Sequence, residues 1–367
     1  MANKKGRRRR RFRPFKLLFT LLLLAVIVLV PLYFFGIIYP DGEEAGSYPE
    51  ENWMAQVEGN RQLSTLNLPG TADSAARYVF PSVTKQTQLT GLEEQMKLGY
   101  RVFDLHVRIE GSGQYQKLVL CTGGAECRQS AYFLDTAVSL SDAVITAREF
   151  MENHPAETVV FILTKEKEDD DPAVVQQLVS NLIEKNHNLF YTANRIPNLD
   201  AVRGKIVLCR RYEDALELGE NFSGLNFCYP EQHSSTVLAN AAETFYLNTQ
   251  DGIMVQNHSQ YDRGDKWMAA RSLLDEPMAA DHMFVLNSLH CESGFLHWIR
   301  WNAKEINEKF TAYTLTEGNP YGIFMFDYAD SALAEKVIHS NTLIPKEEPA
   351  PAEAPAEEAP AEAPPAE

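Results

Sequence analysis

The chain has 367 residues, 45% hydrophobic and 23% charged, with a formal net charge of −16. That length allows one large core or two domains at most. The acidic balance argues against nucleic acid and against electrostatic adhesion to anionic lipid, and leaves room for a small anionic ligand in a pocket.

Nine Lys and Arg lie between Lys4 and Lys16, and an uncharged apolar run follows from Leu17 to Ile38, 22 residues long. A run of this length crosses a hydrocarbon core as a helix. No small-residue cleavage site follows it, which distinguishes an uncleaved anchor from a signal peptide. The expectation is therefore a basic cytoplasmic segment over 1–16, a transmembrane helix over 17–38, and everything later on the extracytoplasmic side, because basic flanks stay inside. A nucleic-acid-binding basic arm is the lesser reading, since the adjacent span already accounts for the charges. Without those nine positive residues the remainder carries −25, of which −6 belongs to the tail over 345–367. Residues 39–52 read as a polar linker, and the Pro, Ala and Glu tail reads as a disordered spacer too poor in apolar bulk to offset its ordering entropy.

Between residues 53 and 344 the sequence shows eight strand-like runs: "TLNL" at 65, "YRVFDLHV" at 100, "KLVLC" at 117, "TVVFILT" at 158, "KIVLC" at 205, "GIMV" at 252, "MFVLN" at 283 and "YGIFMF" at 321. Most are apolar at consecutive positions, as strands covered on both faces require. Helical patterns stand between several of them. Leu140 to Met151 follows the capping signal "SLSD", and Ala173 to Lys185 follows "DDDP". The pattern predicts an α/β fold, a TIM-type (β/α)8 barrel with some distortion, preceded by one transmembrane helix and followed by the tail. A doubly wound open sheet is the runner-up, though no glycine fingerprint follows the first strand. A barrel places its site at the carboxyl ends of its strands, and polar residues stand there throughout: Asp73, Asp104, His106, Arg108, Thr122, Lys165, Glu166, Arg211, His258, His290 and Asp327 among them.

"LNLPGTADSA" resembles the turn after the first strand of the phosphatidylinositol-specific phospholipase C family, whose usual form reads PGTHDS. "KQTQLTGLEEQMKLGYRVFDLHVR" resembles the family's next block, and "HPAETVVFILTKE", "VRGKIVLCRRY" and "YGIFMFDY" resemble three later ones in the same order. The resemblance covers roughly residues 53 to 340. It implies a distorted barrel and acid–base chemistry on a phosphodiester. One His takes the proton of an inositol hydroxyl, which attacks phosphorus, and a second protonates the leaving diacylglycerol oxygen. An Arg neutralises the phosphate in the metal-independent bacterial enzymes, and a calcium ion does so in the others. Such chemistry needs two groups that titrate near the working pH, plus a fixed positive charge.

Carried across by position, the first His is Ala72 and the second falls at Thr122, or at Cys121 if the register slips by one. The Arg position is His106. Asp73, Asp104 and Asp327 survive, the last corresponding to the residue that orients the first His, and Arg108, Lys165, Glu166 and Arg211 remain as ligand contacts, with Arg211 at the inositol-contacting Arg position. Without a proton-transfer pair, the chain is expected to be a degenerate phosphodiesterase that keeps ligand binding, with a small phosphorylated polyol or phospholipid headgroup as partner. An active metal-assisted phosphodiesterase is the alternative, in which Asp73, Asp104 and His106 would hold a divalent cation. A surface scaffold is the third reading. His258 and His290 stand as candidates for a displaced acid.

Cys121, Cys127, Cys209, Cys228 and Cys291 make an odd set, so a disulfide is permitted and at least one thiol is free. Trp53, Trp267, Trp298 and Trp301 are expected in core or rim packing, the last two on one helical face.

Overall fold

The computed structural model describes residues 14–34, 47–132, 135–219, 221–230, 245–259, 263–292 and 298–345. Its architecture is set by a strand that pairs with both its successor and the final strand. β1 (Leu68–Thr71) lies parallel to β2 (Val102–Glu110) on one side and to β12 (Ile323–Phe326) on the other. The ladder continues outward from β2 through β5 (Val159–Lys165) to β7 (Ile206–Arg211), and outward from β12 through β11 (Phe284–Ser288) to β10 (Ile253–Gln256), parallel throughout. Strands that follow one another around a ring in chain order, with first and last paired, form a barrel; a doubly wound sheet would reverse its order.

The count of parallel strands corrects one expectation. The run at 117 is β3 (Lys117–Thr122), which pairs antiparallel with β2 and with the two-residue β4 (Ala125–Glu126), so it forms a hairpin at the rim rather than a barrel strand. The stave beyond β7 is instead discontinuous, with β6 (Phe190–Tyr191) against its start and β8 (Leu225–Asn226) against its end. Both are two residues long, too short to register as a periodic pattern. On the far side β9 (Tyr246–Asn248) pairs antiparallel with β10. Among the described residues no ladder joins β8 to β9, which is where the distortion lies.

The helices open where the sequence marks them. Leu140–Asn153 begins at Ser139, whose hydroxyl accepts from the Asp142 N–H while the Asp142 carboxylate accepts from the Ser139 N–H. Pro172–Lys185 begins at Asp171, whose side chain accepts from the Ala173 N–H, with Pro172 in the first turn. Between the strands and Ile299–Ala312, the rings of Phe310, Phe324 and Phe326 pack at 5.0 to 6.2 Å between centroids. Trp53 is buried, and its indole N–H donates to the Gly99 carbonyl. The rings of Trp298 and Trp301 lie 4.6 Å apart, as their spacing predicts.

At the amino-terminal end of the staves, Arg101 and Glu157 form a fully buried ion pair, Nη2 to Oε2 2.7 Å. The guanidinium also donates to the carbonyls of Met96, Tyr100 and Glu51, and Glu157 accepts from the Met54 N–H. The pair thus ties segment 47–54 to the barrel. Residues 47–52, expected as the end of a free linker, are docked: the Tyr48 hydroxyl donates to Glu94 and the Glu51 carbonyl caps Arg101.

A helix runs from Pro14 to Phe34, and Phe15, Leu18, Phe19 and Leu22 on it are 60 to 83% exposed. Among the described residues no helix is long and apolar enough to cross a membrane, and the expected span over 17–38 runs past this helix's end. The basic segment up to residue 13, linker residues 39–46 and tail residues 346–367 lie outside the described residues. All five cysteines are free thiols. Cys209 and Cys291 are wholly buried, the ordinary setting for a small hydrophobe.

Candidate active site

β1 stops at Thr71 because the next three residues are pinned to neighbouring strands. The Ala72 N–H donates to the Phe326 carbonyl and the Ser74 N–H to the Asp104 carbonyl, both at 2.9 Å. Thr71 and Ser74 spend their hydroxyls on each other and on Gln95, so they brace the turn rather than serve it. Between them Asp73 takes φ +43°, a left-handed conformation uncommon for a residue with a Cβ. Its carboxyl faces a cavity of about 530 Å³ at the carboxyl ends of the staves. The Asp73 Oδ1 is buried without a hydrogen-bond partner among the described residues. Burial raises this carboxyl to about 6, against the lowering effects of His106 and His290.

Alternation along β2 brings Asp104 and His106 to the same face. The His106 ring lies between two carboxylates, Nε2 3.3 Å from Asp104 and Nδ1 2.5 Å from Glu166. Burial alone would lower the imidazole, but Asp104, Asp73 and Glu166 outweigh it and hold His106 well above its ordinary range. The same contact works in reverse on Asp104. There burial is overcome by His106, then by Arg211, and the carboxyl titrates below its usual value. A protonated imidazole thus stands where the resemblance places an arginine, with its charge shared among carboxylates.

Arg211, at the end of β7, stacks on Tyr229 with its guanidinium carbon 4.0 Å from the ring centroid, and both line the cavity. Lys165, at the end of β5, also lines it, its ammonium held by the carbonyls of Lys167 and Glu168. Glu166 accepts from the Gly124 N–H and faces His106. Arg108 departs from expectation. β2 continues past the barrel rim into the hairpin with β3, so Arg108 pairs there with Glu126, outside the cavity lining. Arg210 is likewise structural, donating to the carbonyls of Tyr212 and Ser223.

Ala72 and Thr122, the two lost histidine positions, both line the cavity. Thr122 lines the cavity and Cys121 does not, although Cys121 is the residue paired with His106 across the β2–β3 ladder. Asp327, buried behind the end of β12, nevertheless holds an imidazole: His290 Nδ1 lies 2.8 and 2.9 Å from its two carboxylate oxygens, and the Cys291 N–H donates to it as well. Burial would lower His290, and Asp327 overrides that effect and lifts it to about 9. Fully buried Lys266, on the helix Arg263–Asp275, donates to Gln256 and is depressed by burial to about 8. His258 is buried and does not line the cavity.

Lys85 lines the cavity too, although the sequence reading passes over it. Its ammonium lies where a Cβ on Gly123 would stand, 1.9 Å away, and Gly123 has φ +49°. The left-handed φ favours glycine there, and a side chain would require the Lys85 ammonium to move. The signal available in the sequence was the glycine pair after Thr122. Asp73, Asp104 and His106 all line the cavity, but both ring nitrogens of His106 face carboxylates, and among the described residues no three His, Cys, Asp or Glu side chains form a group that could hold an ion.

Residues 72–212 match the family described as phosphatidylinositol-specific phospholipase C, X domain. A 1-phosphatidylinositol phosphodiesterase of Listeria monocytogenes is 26% identical over 199 residues, 51% of this chain and 57% of that protein. One of Staphylococcus aureus is 28% identical over 172 residues, 44% of this chain and 51% of that one. The chain thus spans about half the length of the curated relatives it matches. Solved structures of the phospholipases from the same two species superpose with TM-scores of 0.62 and 0.65, each at 21% identity over 80% of this chain and 99% and 98% of theirs. At that identity the superposition establishes the barrel-like fold.

Proposed function

From the premise that residues 72–212 are a phosphatidylinositol-specific phospholipase C X domain, we propose that the cavity takes a phosphorylated polyol, the headgroup of a phosphoinositide-type lipid or its free form. We propose further that the family's own histidine pair plays no part in what it does. The observation that carries this reading is Arg211. Its planar guanidinium is fixed on Tyr229 at the cavity wall, ready to bridge two oxygens of a phosphate or diol. Lys165 and Lys85 add positive charge along the same rim. A cavity near 530 Å³ suits a ligand of this size. Ala72 and Thr122 at the wall support loss of the family's route, because neither a methyl group nor a threonine hydroxyl exchanges protons near neutral pH. A plain scaffold would need no such array of buried charges.

Calorimetric titration with myo-inositol 1-phosphate tests this reading. Binding in the micromolar to millimolar range, weakened at least tenfold in Arg211→Ala, is expected. No heat at millimolar ligand would refute it.

We also propose that residues 17–38, which begin within the helix Pro14–Phe34 and continue past the described residues, form a single-pass membrane anchor, with the amino terminus cytoplasmic and the barrel extracytoplasmic. The support is the run of exposed apolar side chains on that helix, which water does not tolerate as a contiguous surface. Protease added to intact cells should remove the barrel, and complete protection of it would refute the orientation.

A further inference from the structure

The cavity contains an imidazole that the family motifs do not account for. His290 lies outside the matched segment 72–212, on the loop after β11, and its ring is held against Asp327. By the resemblance, Asp327 orients the histidine of the turn after β1, and here that turn carries Ala72. Both Ala72 and His290 line the same cavity, and the Ala72 N–H is bonded to the carbonyl of the residue before Asp327. The carboxylate has kept a histidine partner, delivered from a different strand.

We propose that His290 has taken over the proton-accepting role left empty at position 72, receiving the proton of the ligand hydroxyl as that oxygen attacks phosphorus. Nδ1 is occupied by Asp327, so Nε2 is the nitrogen that accepts. The hydroxyl oxygen forms its bond to phosphorus and its proton passes to Nε2. The bond from phosphorus to the departing alcohol oxygen breaks with its electron pair on that oxygen, which takes a proton from water at the open mouth of the cavity. The hydroxide so formed takes the proton from Nε2 and restores the neutral imidazole. The inference rests on the reading of the cavity as a phosphodiester site, and it adds the group that performs the transfer.

The charged groups that face His290 set its behaviour. Asp327 at the end of β12 and Asp73 after β1 favour the imidazolium, and Lys266 from the helix outside β10 and β11 opposes it. The imidazole is therefore mostly protonated at neutral pH, titrating at about 9, and a base must be neutral to accept. Turnover should climb about tenfold per pH unit between pH 7 and pH 9 and then level. Asp327→Asn removes the main cause of the shift, so it should move that rise to lower pH. A merely structural role for Asp327 would leave the position of the rise unchanged.

The test uses the full chain in detergent, with a chromogenic inositol phosphodiester for turnover and myo-inositol 1-phosphate for binding. His290→Gln should lower turnover by about 10² to 10⁴ while binding stays within a few-fold. The double variant Ala72→His with His290→Ala should recover at least tenfold over His290→Ala alone, a gain no folding defect produces. Undiminished turnover in His290→Gln overturns the proposal, as does a wild-type rate that falls between pH 7 and pH 9. A wild-type protein that binds the probe yet cleaves nothing from pH 6 to pH 10 also overturns it, and leaves the ligand reading standing. Failure to bind the probe removes that underlying reading instead.

Discussion

The two halves of the barrel wall are built for different work. From β1 to β7 the strand ends carry Asp73, Asp104, His106, Lys165, Glu166 and Arg211, a dense set of opposed charges that lie within the matched segment 72–212. From β10 to β12 the wall carries fewer charges, with Asn257, Ser259, Ser288, Met325 and Glu292 around a single imidazole on a buried carboxylate. The first half matches its relatives in sequence, and the positions where the resemblance places the two histidines carry Ala72 and Thr122. The second half lies outside the match and carries His290 on Asp327, the proposed replacement. A family motif reports on the stretch it spans, whereas a site is a set of directions in space to which any strand end can contribute.

The sharpest break of this comparison is at the foundation of the first half. Glu157→Ala leaves the Arg101 guanidinium buried without its carboxylate, and should cost about 3 to 5 kcal/mol in urea unfolding. A loss under about 1 kcal/mol would mean that the first half is not anchored as described.

Next comes the cost of the charge cluster itself. In the folded protein Asp73 titrates at about 6, above its ordinary 3.8, so its ionised form opposes folding. That penalty begins as pH rises past about 4 and is complete above about 6. Asp73→Asn should therefore stabilise the protein at pH 7 by at most about 3 kcal/mol and leave it nearly unchanged at pH 4. Melting temperatures at the two pH values check this, and equal shifts at both would disprove it.

His290 has the same sign in a later pH window. Its folded value lies above 6.5, so it contributes stability that is full below about 6.5 and is lost as pH rises through about 9. Both groups should therefore lose stability as pH rises, Asp73 between about 4 and 6 and His290 between about 6.5 and 9.

Arg211→Lys keeps the charge and removes the planar fork. A loss of about tenfold in affinity for myo-inositol 1-phosphate is expected, and an unchanged constant would show that Arg211 acts as a point charge only. The smallest effect belongs to the capping box. Ser139→Ala should cost about 1 kcal/mol by chemical denaturation with no change in ligand affinity, which separates scaffold from site within the same half.

Much of the fold was legible in the sequence because it depends on local signals. Consecutive apolar residues mark β5 and β7, and Ser139 and Asp171 mark two helix starts within a residue or two. The run at 117 misled because a hairpin strand packed on the barrel carries the same apolar pattern as a stave, and only its antiparallel partner tells them apart. Arg108 misled for a related reason: alternation fixes the face of a residue on β2 but not how far past the rim it stands.

By itself the sequence determined most of the segments that become strands and helices, the alanine and threonine at 72 and 122, and the carboxylates and cations available at the strand ends. Those are properties of a residue and its near neighbours, set by side-chain chemistry and backbone period. The tertiary structure alone decided that His290 meets Asp327, 37 residues away, that His106 is shared between Asp104 and Glu166, and that Arg101 is neutralised by Glu157, 56 residues on. Apart from Asp104 and His106, which share β2, each of those pairs joins segments from different strands, and their distances exist only once the strands lie side by side in the ring.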